Sequence, residues 1–385
     1  MKRLRNLIHD MDQPLLIVTV LLFVFGLLNI VTASSKAVVL RYNLSLYNYF
    51  FHQLAPLLAG VVITFVILQI PTRKYRFWAA LGFFAVLCAL IYLSLYGTVH
   101  MGNVNWISVP GLGSIQPSEL AKPVLIACLA LLFERFWKRL RTKGINHYDM
   151  IALILFIGFV FPIIVYFQGD LGTTLILLFL FAAMFLASPI LRLEKLKTAG
   201  LGLILLFCAC CIIIGKTGSL LTKSQAKRFN FFDPCARYEG DGYQICNGFI
   251  AINKGSLFGV GIGNSKQVSY IPESHTDSVF AIIAEEYGFL LSTIIFFAYL
   301  FILKRILELA SRANTIRGKY ICFGVAVYIF LHVIVNLGGL FGVMPLTGVP
   351  LPFLSYGGSF TLSLVIALAM VQRVHIETKN QKVKV

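Results

Sequence analysis

The amino-acid sequence predicts an all-α integral membrane protein whose single domain, residues 1–385, crosses the bilayer about ten times. Three observations predict this fold class. The chain is 58% hydrophobic and only 13% charged, whereas a soluble domain carries roughly 25% charged residues. Apolar runs of membrane-spanning length recur along the chain. Basic residues gather in alternate segments between these runs, as they do in cytoplasmic loops.

The apolar runs follow one another from the N-terminus to the C-terminus. They lie at about 14–33, 50–70, 77–96, 118–134, 150–167, 171–188, 199–214, 278–303, 320–339 and 358–372. The first run follows a basic N-terminus, as in a secretion signal, but it is long enough to span the bilayer and no convincing cleavage site follows it. We therefore interpret it as a retained first helix.

The positions of the 33 Lys and Arg residues predict the orientation of the helices. Alternate segments, beginning with the N-terminus and ending with the C-terminus, hold 23 of them. Two lie in 34–49, and the segments 97–117, 168–170 and 340–357 hold none. The segment 215–277 holds seven, but long loops escape the rule. Both termini are thus predicted to be cytoplasmic, and 215–277 to be a large extracytoplasmic loop between the seventh and eighth helices.

The same distribution explains the net charge of +17 without nucleic acid, which we exclude as a partner. Six of the eight cysteines lie inside apolar runs, where cysteine behaves as a small hydrophobic residue. Cys235 and Cys246 share the 215–277 loop and would pair if that loop faced an oxidising space. Apolar stretches of the loop, such as residues 249–252, favour short interfacial or re-entrant helices.

The chain has only 16 acidic residues, and five of them fall at outer helix ends or within the membrane. These five are Glu119, Asp170, Asp277, Glu285 and Glu286. A charge at mid-bilayer costs about 2.5–3.5 kcal/mol on insertion scales, so each of them is a candidate functional residue.

Asp277 lies where the long loop becomes the eighth helix. One interpretation is an N-cap carboxylate, which this residue type favours. A cap does not require His275 nearby or two further carboxylates along the same helix. At about 100° per residue, Glu285 lies some 80° from Asp277 around the axis of the eighth helix and is predicted to line the same cavity. Glu286 lies about 180° from Asp277, on the opposite side of the helix.

Glu119 and Lys122 lie one turn apart at the start of the fourth helix, where the i, i+3 spacing places both on one face. They form either an ion pair that allows two charges at membrane depth or a site at which Lys122 meets an anionic head group. The two interpretations are compatible.

Three further polar features lie at predicted outer helix ends or on the ninth helix. Asp170 follows Gly169 in a tight turn, where it is either a helix cap or a direct participant. Prolines precede a segment with Ser355, Gly357 and Gly358, which predicts a non-helical stretch lining a polar cavity. His332 and Asn336 share one helix face and are interpreted as an interhelical hydrogen-bond pair.

Five of these segments occur in a fixed order across most of the chain. They are Gln116-Pro117-Ser118-Glu119 with Lys122, Asp170-Leu171-Gly172-Thr173, Pro272-Glu273 with His275-Thr276-Asp277, Glu285-Glu286 with Gly288, and Pro350-Leu351-Pro352 with Ser355-Tyr356-Gly357-Gly358-Ser359. Together they resemble the SEDS family (shape, elongation, division and sporulation), which includes FtsW, RodA and SpoVE.

The resemblance implies a peptidoglycan glycosyltransferase that polymerises lipid II at the outer face of the bacterial cytoplasmic membrane. The family's essential aspartate carries over to Asp277, and its Glu–Lys pair to Glu119 and Lys122. Asn105 stands where the family often has a basic residue. Residues 238–244 and 261–267 look closer to FtsW and SpoVE than to RodA, which favours a division role over an elongation role.

The implied partners are lipid II, an undecaprenyl-linked glycan, a class B penicillin-binding protein with transpeptidase activity, and other divisome or elongasome membrane proteins. The implied reaction is an inverting glycosyl transfer with Asp277 as the base. Lys122, or a divalent cation such as Mg²⁺ or Mn²⁺ held by loop carboxylates, would face the leaving pyrophosphate, although no metal-binding motif is present. The alternatives are a lipid II flippase and a non-catalytic scaffold of the division complex. A flippase requires polar residues through the whole membrane, and the inner halves of most helices carry almost no ionisable groups.

Overall fold

The computed structural model describes residues 7–36, 47–97, 104–109, 113–140, 148–198, 200, 231–240 and 242–382. Within these ranges the regular structure is helical except for one two-stranded hairpin, which confirms the all-α prediction. The main elements are α1 (Gln13–Lys36), α2 (Asn48–Gln69), α3 (Tyr75–Tyr96), β1 (Ile107–Val109), β2 (Gly113–Ile115), α4 (Pro117–Leu140), α5 (Tyr148–Phe167), α6 (Leu171–Ala187), α7 (Tyr243–Gly255), α8 (Val279–Arg312), α9 (Ile316–Leu340) and α10 (Gly358–Lys382).

Nine of the ten predicted spans coincide with helices, and the tenth, 199–214, lies outside the described residues apart from residue 200. Among the described helices, seven are long and apolar enough to cross a membrane. The two remaining matches are α4, which carries several charges, and α6, which has 17 residues. The chain is therefore a polytopic membrane protein.

Three helices continue past the predicted ends of their apolar runs. α4 reaches Leu140, α8 reaches Arg312 and α10 reaches Lys382. These extra turns carry Lys and Arg, which are good helix formers, so hydropathy alone underestimates the helix length. Much of the basic charge predicted for cytoplasmic loops thus lies on helix ends.

The chain's N- and C-terminal segments meet at one end of the bundle, here called the basic end. Lys379 Nζ lies 2.8 Å from Asp10 Oδ1, and the Asp12 amide donates to Gln372 Oε1 at 2.7 Å. The opposite end, here called the outer end, holds the β1–β2 hairpin, the described part of the predicted large loop, and the segment 341–357. The prediction that both termini lie on one side is confirmed.

The interior of the bundle is formed mainly by α4, α9 and α10. In the spanning portions of α9 and α10, 61% and 72% of the residues are buried, compared with 17% in α2. α9 packs against both α4 and α8, and α10 packs against α2. The helices that carry Glu119, Lys122, His332 and Asn336 therefore lie in the interior of the bundle.

α8 is interrupted at Gly288, which has φ 78° and ψ −175°. An unbroken helix would bond the amides of residues 289 and 290 to the carbonyls of residues 285 and 286. Instead, the segment 256–261 supplies the partners. Phe289 N donates to Ser256 O and Leu290 N to Leu257 O, while Glu285 O and Glu286 O accept from Val260 N and Gly261 N. The amides of residues 289 and 290 and the carbonyls of residues 285 and 286 are therefore all hydrogen-bonded despite the interruption.

The described part of the large loop contains the expected short helix. α7 covers the predicted 249–252 stretch and packs against α8. Cys235 and Cys246 form a disulfide that ties the turn at Pro234–Arg237 to α7. Disulfides persist in oxidising compartments, so this pairing agrees with the predicted extracytoplasmic placement.

Candidate active site

The candidate site lies at the outer end, where the chain before α8 meets the segment between α9 and α10. The Tyr356 amide donates a hydrogen bond to His275 O at 2.8 Å, and the Ser355 hydroxyl donates to Thr276 O. The Ser355 hydroxyl also accepts from Leu351 N at 2.8 Å. Two segments about 80 residues apart in sequence are thus held together around Asp277.

Asp277 is half-buried, and its position is set by three helices. Its Oδ1 accepts from the Gln244 side chain of α7 at 3.1 Å and from the Ser278 hydroxyl at 3.3 Å. Its carbonyl accepts from the Asn336 amide of α9 at 2.8 Å. A Cβ on Gly348 would lie 3.9 Å from Asp277 Oδ2, so the segment between α9 and α10 passes close to this carboxylate.

The N-cap interpretation of Asp277 is wrong in this structure. Ser278 occupies the N-cap position of α8 and makes no side-chain capping bond. Instead of capping, Asp277 bonds to side chains of the outer loop. The carboxylate is therefore positioned by residues brought together only in the folded protein.

His275 is buried beside two tyrosines. Its ring lies 4.6 Å from the ring of Tyr49 and 5.6 Å from the ring of Tyr356. Burial lowers the pKa of the imidazole below its usual value, although Glu273 acts in the opposite direction. Burial also raises the pKa of Tyr356 to about 12, and Tyr49 adds to this effect. His275 is thus neutral at physiological pH and packs against Tyr49 and Tyr356, two residues before Asp277 in the chain.

Gly357 and Gly358 allow the 355–358 turn to approach α2. The Gly357 amide donates to Gln53 Oε1 at 3.0 Å, and a Cβ on Gly358 would lie 3.2 Å from Pro56 Cγ. The two glycines shape the site through their backbone, and Ser355 does so through its hydroxyl. Their role in this structure is support for the chain around Asp277.

Glu119 and Lys122 form the predicted ion pair, with 2.6 Å between Lys122 Nζ and Glu119 Oε1. Lys122 is 1% exposed, and its ammonium lies 5.8 Å from the ring centres of both Tyr328 and Phe360. The prediction that Lys122 meets a head group is therefore wrong for this conformation, because the ammonium is enclosed by protein.

His332 completes this buried cluster. Its Nδ1 lies 3.1 Å from Pro350 O, which can only accept, so Nδ1 carries the proton and Nε2 accepts from Lys122 at 3.1 Å. Asn336 donates to Asp277 O and to Val349 O, both at 2.8 Å. His332 thus makes the predicted interhelical hydrogen bond, to Lys122 of α4, whereas Asn336 ties α9 to loop segments of the outer end.

Asp170 caps α6 as predicted, and its side chain also connects α6 to the segments that carry Asn105 and Gln116. Its Oδ1 accepts from the Thr173 amide at 3.0 Å. Its Oδ2 accepts from Thr173 Oγ1, from Gln116 at 2.8 Å and from Asn105 at 3.2 Å. Asn105 is 7% exposed and bonded to this carboxylate, so it is not positioned to contact a phosphate.

Glu285 does not share a cavity with Asp277, contrary to the prediction. Its carboxylate is buried and accepts from the Ser265 hydroxyl, from Lys266 N at 3.2 Å and from Gln267 N at 3.1 Å. Glu286 accepts from the Thr32 hydroxyl at 2.9 Å and from the Gly263 amide at 3.0 Å. Both carboxylates hold the outer loop in place.

Sequence reasoning missed two residues that shape the site. Gln244 contacts the Asp277 carboxylate and also donates to Ser278 Oγ at 2.9 Å, and Gln53 fixes the Gly357 turn. Gln244 lies on the amphipathic α7, a signal that could have indicated it. Gln53 is an isolated polar residue in an apolar run, which marks it as buried but does not identify its partner.

The arrangement places one carboxylate, half-exposed at the outer end, above a buried layer of paired polar groups. In the part of the chain that the structure describes, no group of three or more His, Cys, Asp or Glu residues could hold a metal ion.

Comparison with known proteins identifies the family to which the chain belongs. A probable peptidoglycan glycosyltransferase FtsW of Coxiella burnetii is 30% identical, over 96% of this chain and 97% of its own length. The peptidoglycan glycosyltransferase MrdB of Escherichia coli K12 is also 30% identical, over 96% and 94%. Percentage identity does not separate these two relatives.

A solved structure agrees in fold. A chain from a study of polymerisation and crosslinking by a peptidoglycan synthase complex has a TM-score of 0.73. It is 24% identical, covering 96% of this chain and 98% of that one. The profile of the FtsW, RodA and SpoVE family, described as "Cell cycle protein", matches residues 12–380. This chain therefore belongs to the FtsW/RodA/SpoVE family.

Proposed function

We propose that this protein is a peptidoglycan glycosyltransferase that polymerises lipid II at the outer face of the cytoplasmic membrane. The names of its relatives support this activity. The observation that carries the proposal is the position of Asp277, a half-buried carboxylate held by Gln244, Ser278 and the carbonyl contact to Asn336.

In the proposed reaction, the 4-hydroxyl of GlcNAc in one lipid II attacks C1 of the MurNAc at the reducing end of a lipid-linked glycan. The new C1–O bond forms as the bond to undecaprenyl pyrophosphate breaks, with inversion at C1. The hydroxyl proton passes to the Asp277 carboxylate, and the electron pair of the broken bond leaves with the pyrophosphate. A positioned general base of this kind contributes roughly 10²–10⁴-fold to the rate.

The fixed geometry of Asp277 supports this assignment. Hydrogen bonds from two neutral side chains, Gln244 and Ser278, orient Oδ1. Gly348 lies close to Oδ2 without a side chain, so the chain segment there adds no steric bulk. A substrate hydroxyl approaching from the outer end would meet a preoriented acceptor.

Lys122 is assigned a positioning role in this proposal. It is buried, and it compensates the charge of Glu119. Through His332 it is also connected to the carbonyl of Pro350 in the segment between α9 and α10. The departing pyrophosphate also needs positive charge. A divalent cation remains the alternative from the sequence, but the described residues form no such site, so no step is assigned to it.

The placement at the outer face is supported by two independent features. The Lys and Arg distribution places the basic end in the cytoplasm. The Cys235–Cys246 disulfide lies in the same loop as Asp277, and such bonds persist in oxidising spaces.

For partners, we propose lipid II, the growing undecaprenyl-linked glycan, and a class B penicillin-binding protein that crosslinks the product. The related solved chain comes from a complex that couples polymerisation to crosslinking, which supports a transpeptidase partner. Polymerisation should rise when that partner is added to the purified protein; an unchanged rate would remove it as an activator.

A division role is proposed over an elongation role because the segment 238–244 resembles FtsW and SpoVE. This segment includes Gln244, which contacts Asp277 directly. Depletion of the protein should give filaments without septa, whereas round cells would indicate the elongation role.

The central test is the Asp277→Asn variant, purified and supplied with lipid II. We expect glycan polymerisation to fall by at least about 100-fold, because the amide cannot accept the proton. The matched control is Glu239→Gln, which removes an exposed carboxylate from the same loop and should retain full activity. Normal polymerisation by Asp277→Asn would remove Asp277 as the base.

A further inference from the structure

A cavity at the basic end is lined mostly by cations. Its volume is about 650 Å³, within the usual range for ligand sites. Arg73 and Arg76 come from the start of α3 and the turn before it, Arg135 and Lys138 from α4, and Arg317 from α9. Five cations from three parts of the fold converge here, at the opposite end of the bundle from Asp277.

The lining contains one carboxylate, Glu134, and two cations already engage it. Arg317 Nη1 lies 2.9 Å from both Glu134 oxygens, and Lys138 Nζ lies 3.3 Å from Oε1. Arg317 is also fixed by its Nε, which donates to Thr72 Oγ1 at 2.8 Å. Five cations and one carboxylate leave a formal charge of +4 in the cavity.

The other three arginines have no carboxylate partner within the described ranges. Arg73, Arg76 and Arg135 are exposed, and none of them forms an ion pair with a described residue. The positive-inside rule accounts for basic residues on this side of the membrane. It does not account for their convergence on one cavity, because like charges repel one another unless an anion binds between them.

The cavity also has an apolar part. Leu131 and Leu132 line it and are half-buried. Trp78 and Trp137, next to or near the lining residues in sequence, are 51% and 37% exposed. Tryptophans of this kind anchor at the level of lipid head groups. A ligand here would therefore contact both positive charge and an apolar surface.

We propose that this cavity binds the phosphate head group of an anionic phospholipid of the cytoplasmic leaflet, such as phosphatidylglycerol. Arg73, Arg76 and Arg135 contact the phosphate, while the first acyl carbons lie along Leu131 and Leu132. Guanidinium groups suit phosphate because they donate two parallel hydrogen bonds. Basic pockets between membrane helices on the cytoplasmic side are suited to such head groups.

The test uses quenching of tryptophan fluorescence in the purified full-length protein. Two of the chain's three tryptophans, Trp78 and Trp137, lie close to the cavity in sequence. Phosphatidylglycerol and phosphatidylcholine with identical brominated acyl chains are titrated in mixed micelles. We expect phosphatidylglycerol to be preferred by at least about tenfold, since each basic residue near an anionic surface contributes appreciably.

The variant is Arg73→Gln/Arg76→Gln/Arg135→Gln, in which this preference should fall to near one. The matched control, Arg192→Gln/Lys304→Gln/Lys319→Gln, removes the same charge from exposed positions of the basic end that do not line the cavity. It should keep the preference. Equal loss in both variants would indicate a general surface-charge effect and overturn the proposal.

Two further arms complete the experiment. Inorganic phosphate at millimolar concentration should not abolish the preference; if it does, the site takes free phosphate and the lipid assignment is wrong. If the triple variant does not fold, the single variants Arg76→Gln and Arg135→Gln are used. Each changes an exposed side chain and should give a partial loss; no loss in either would also overturn the proposal.

Discussion

The two ends of the bundle hold their carboxylates in different ways. At the basic end, Asp12, Glu134 and Glu377 are each bonded to an arginine. At the outer end, Asp170 and Glu285 accept hydrogen bonds from amides, hydroxyls and backbone N–H groups, without an ion pair to any described residue. Arginine pairs neutralise charge, whereas neutral donors fix a carboxylate and leave its charge in place.

The difference therefore concerns charge. Asp170 and Glu285 keep the negative charge that an arginine pair would offset, although both carboxylates support the outer end. Glu119 is the exception, because it is paired with Lys122 and buried.

The largest effect is expected from Lys122→Met. It leaves the buried Glu119 carboxylate without its cation, which should cost about 3–5 kcal/mol of unfolding free energy. The double variant Glu119→Gln/Lys122→Met removes both charges and should recover much of this loss. Thermal unfolding in detergent micelles measures the loss of unfolding free energy in each variant. If the single and the double variant lost the same amount, the two charges would not be electrostatically coupled.

A smaller effect is expected from Glu285→Ala. The Ser265 hydroxyl and the amides of Lys266 and Gln267 would lose their acceptor, and two of these three bonds are buried. Leaving buried donors unsatisfied costs about 1–3 kcal/mol. Hydrogen exchange at residues 263–268 should become faster, while Glu273→Ala, at an exposed position, should leave it unchanged.

At the basic end, Asp12→Asn should cost about 1 kcal/mol, as expected for a partly exposed ion pair. Burial raises the pKa of Asp12. Its hydrogen bonds and its charge interaction with Arg305 together lower the pKa by more than that, so the net shift is downward from 3.8. A lowered carboxyl pKa stabilises the folded state above the unfolded pKa. The difference between wild type and variant should therefore shrink as the pH falls below about 4. A constant difference would contradict the ion-pair assignment, and Asp149→Asn, at an exposed pair, is the control.

The smallest effect concerns His275. Because burial lowers its pKa, the folded protein binds fewer protons than the unfolded chain below the usual value of 6.5. Stability is therefore complete above pH 6.5 and falls as the pH decreases. His275→Phe should lose this dependence, which thermal unfolding between pH 8 and pH 5 would detect. Identical pH profiles would assign the acid sensitivity to another group.

Hydropathy and charge counting predict the helices and the shared side of both termini because each depends on local composition. The positions of the unusual carboxylates are likewise visible in the sequence. Their partners are not: Glu285 faces the 265–267 turn only because the segment 256–261 runs alongside α8. The enclosure of Lys122 depends on Tyr328 and Phe360, which are distant in sequence. Long-range packing decides these partners, and one helix's periodicity carries no information about it.

The interruption at Gly288 has a mechanical consequence. Residues 289–312 form about 36 Å of helix, enough to cross the hydrocarbon core alone. The turns that follow Asp277 are joined to this span through bonds borrowed from residues 256–261, not through a continuous helical ladder. α8 thus consists of two helical segments, and backbone hydrogen bonds to residues 256–261 join them in place of the helix's own bonds. The tilt of the spanning segment relative to the turns that follow Asp277 is therefore set partly by residues 256–261, which are bonded to both sides of the junction.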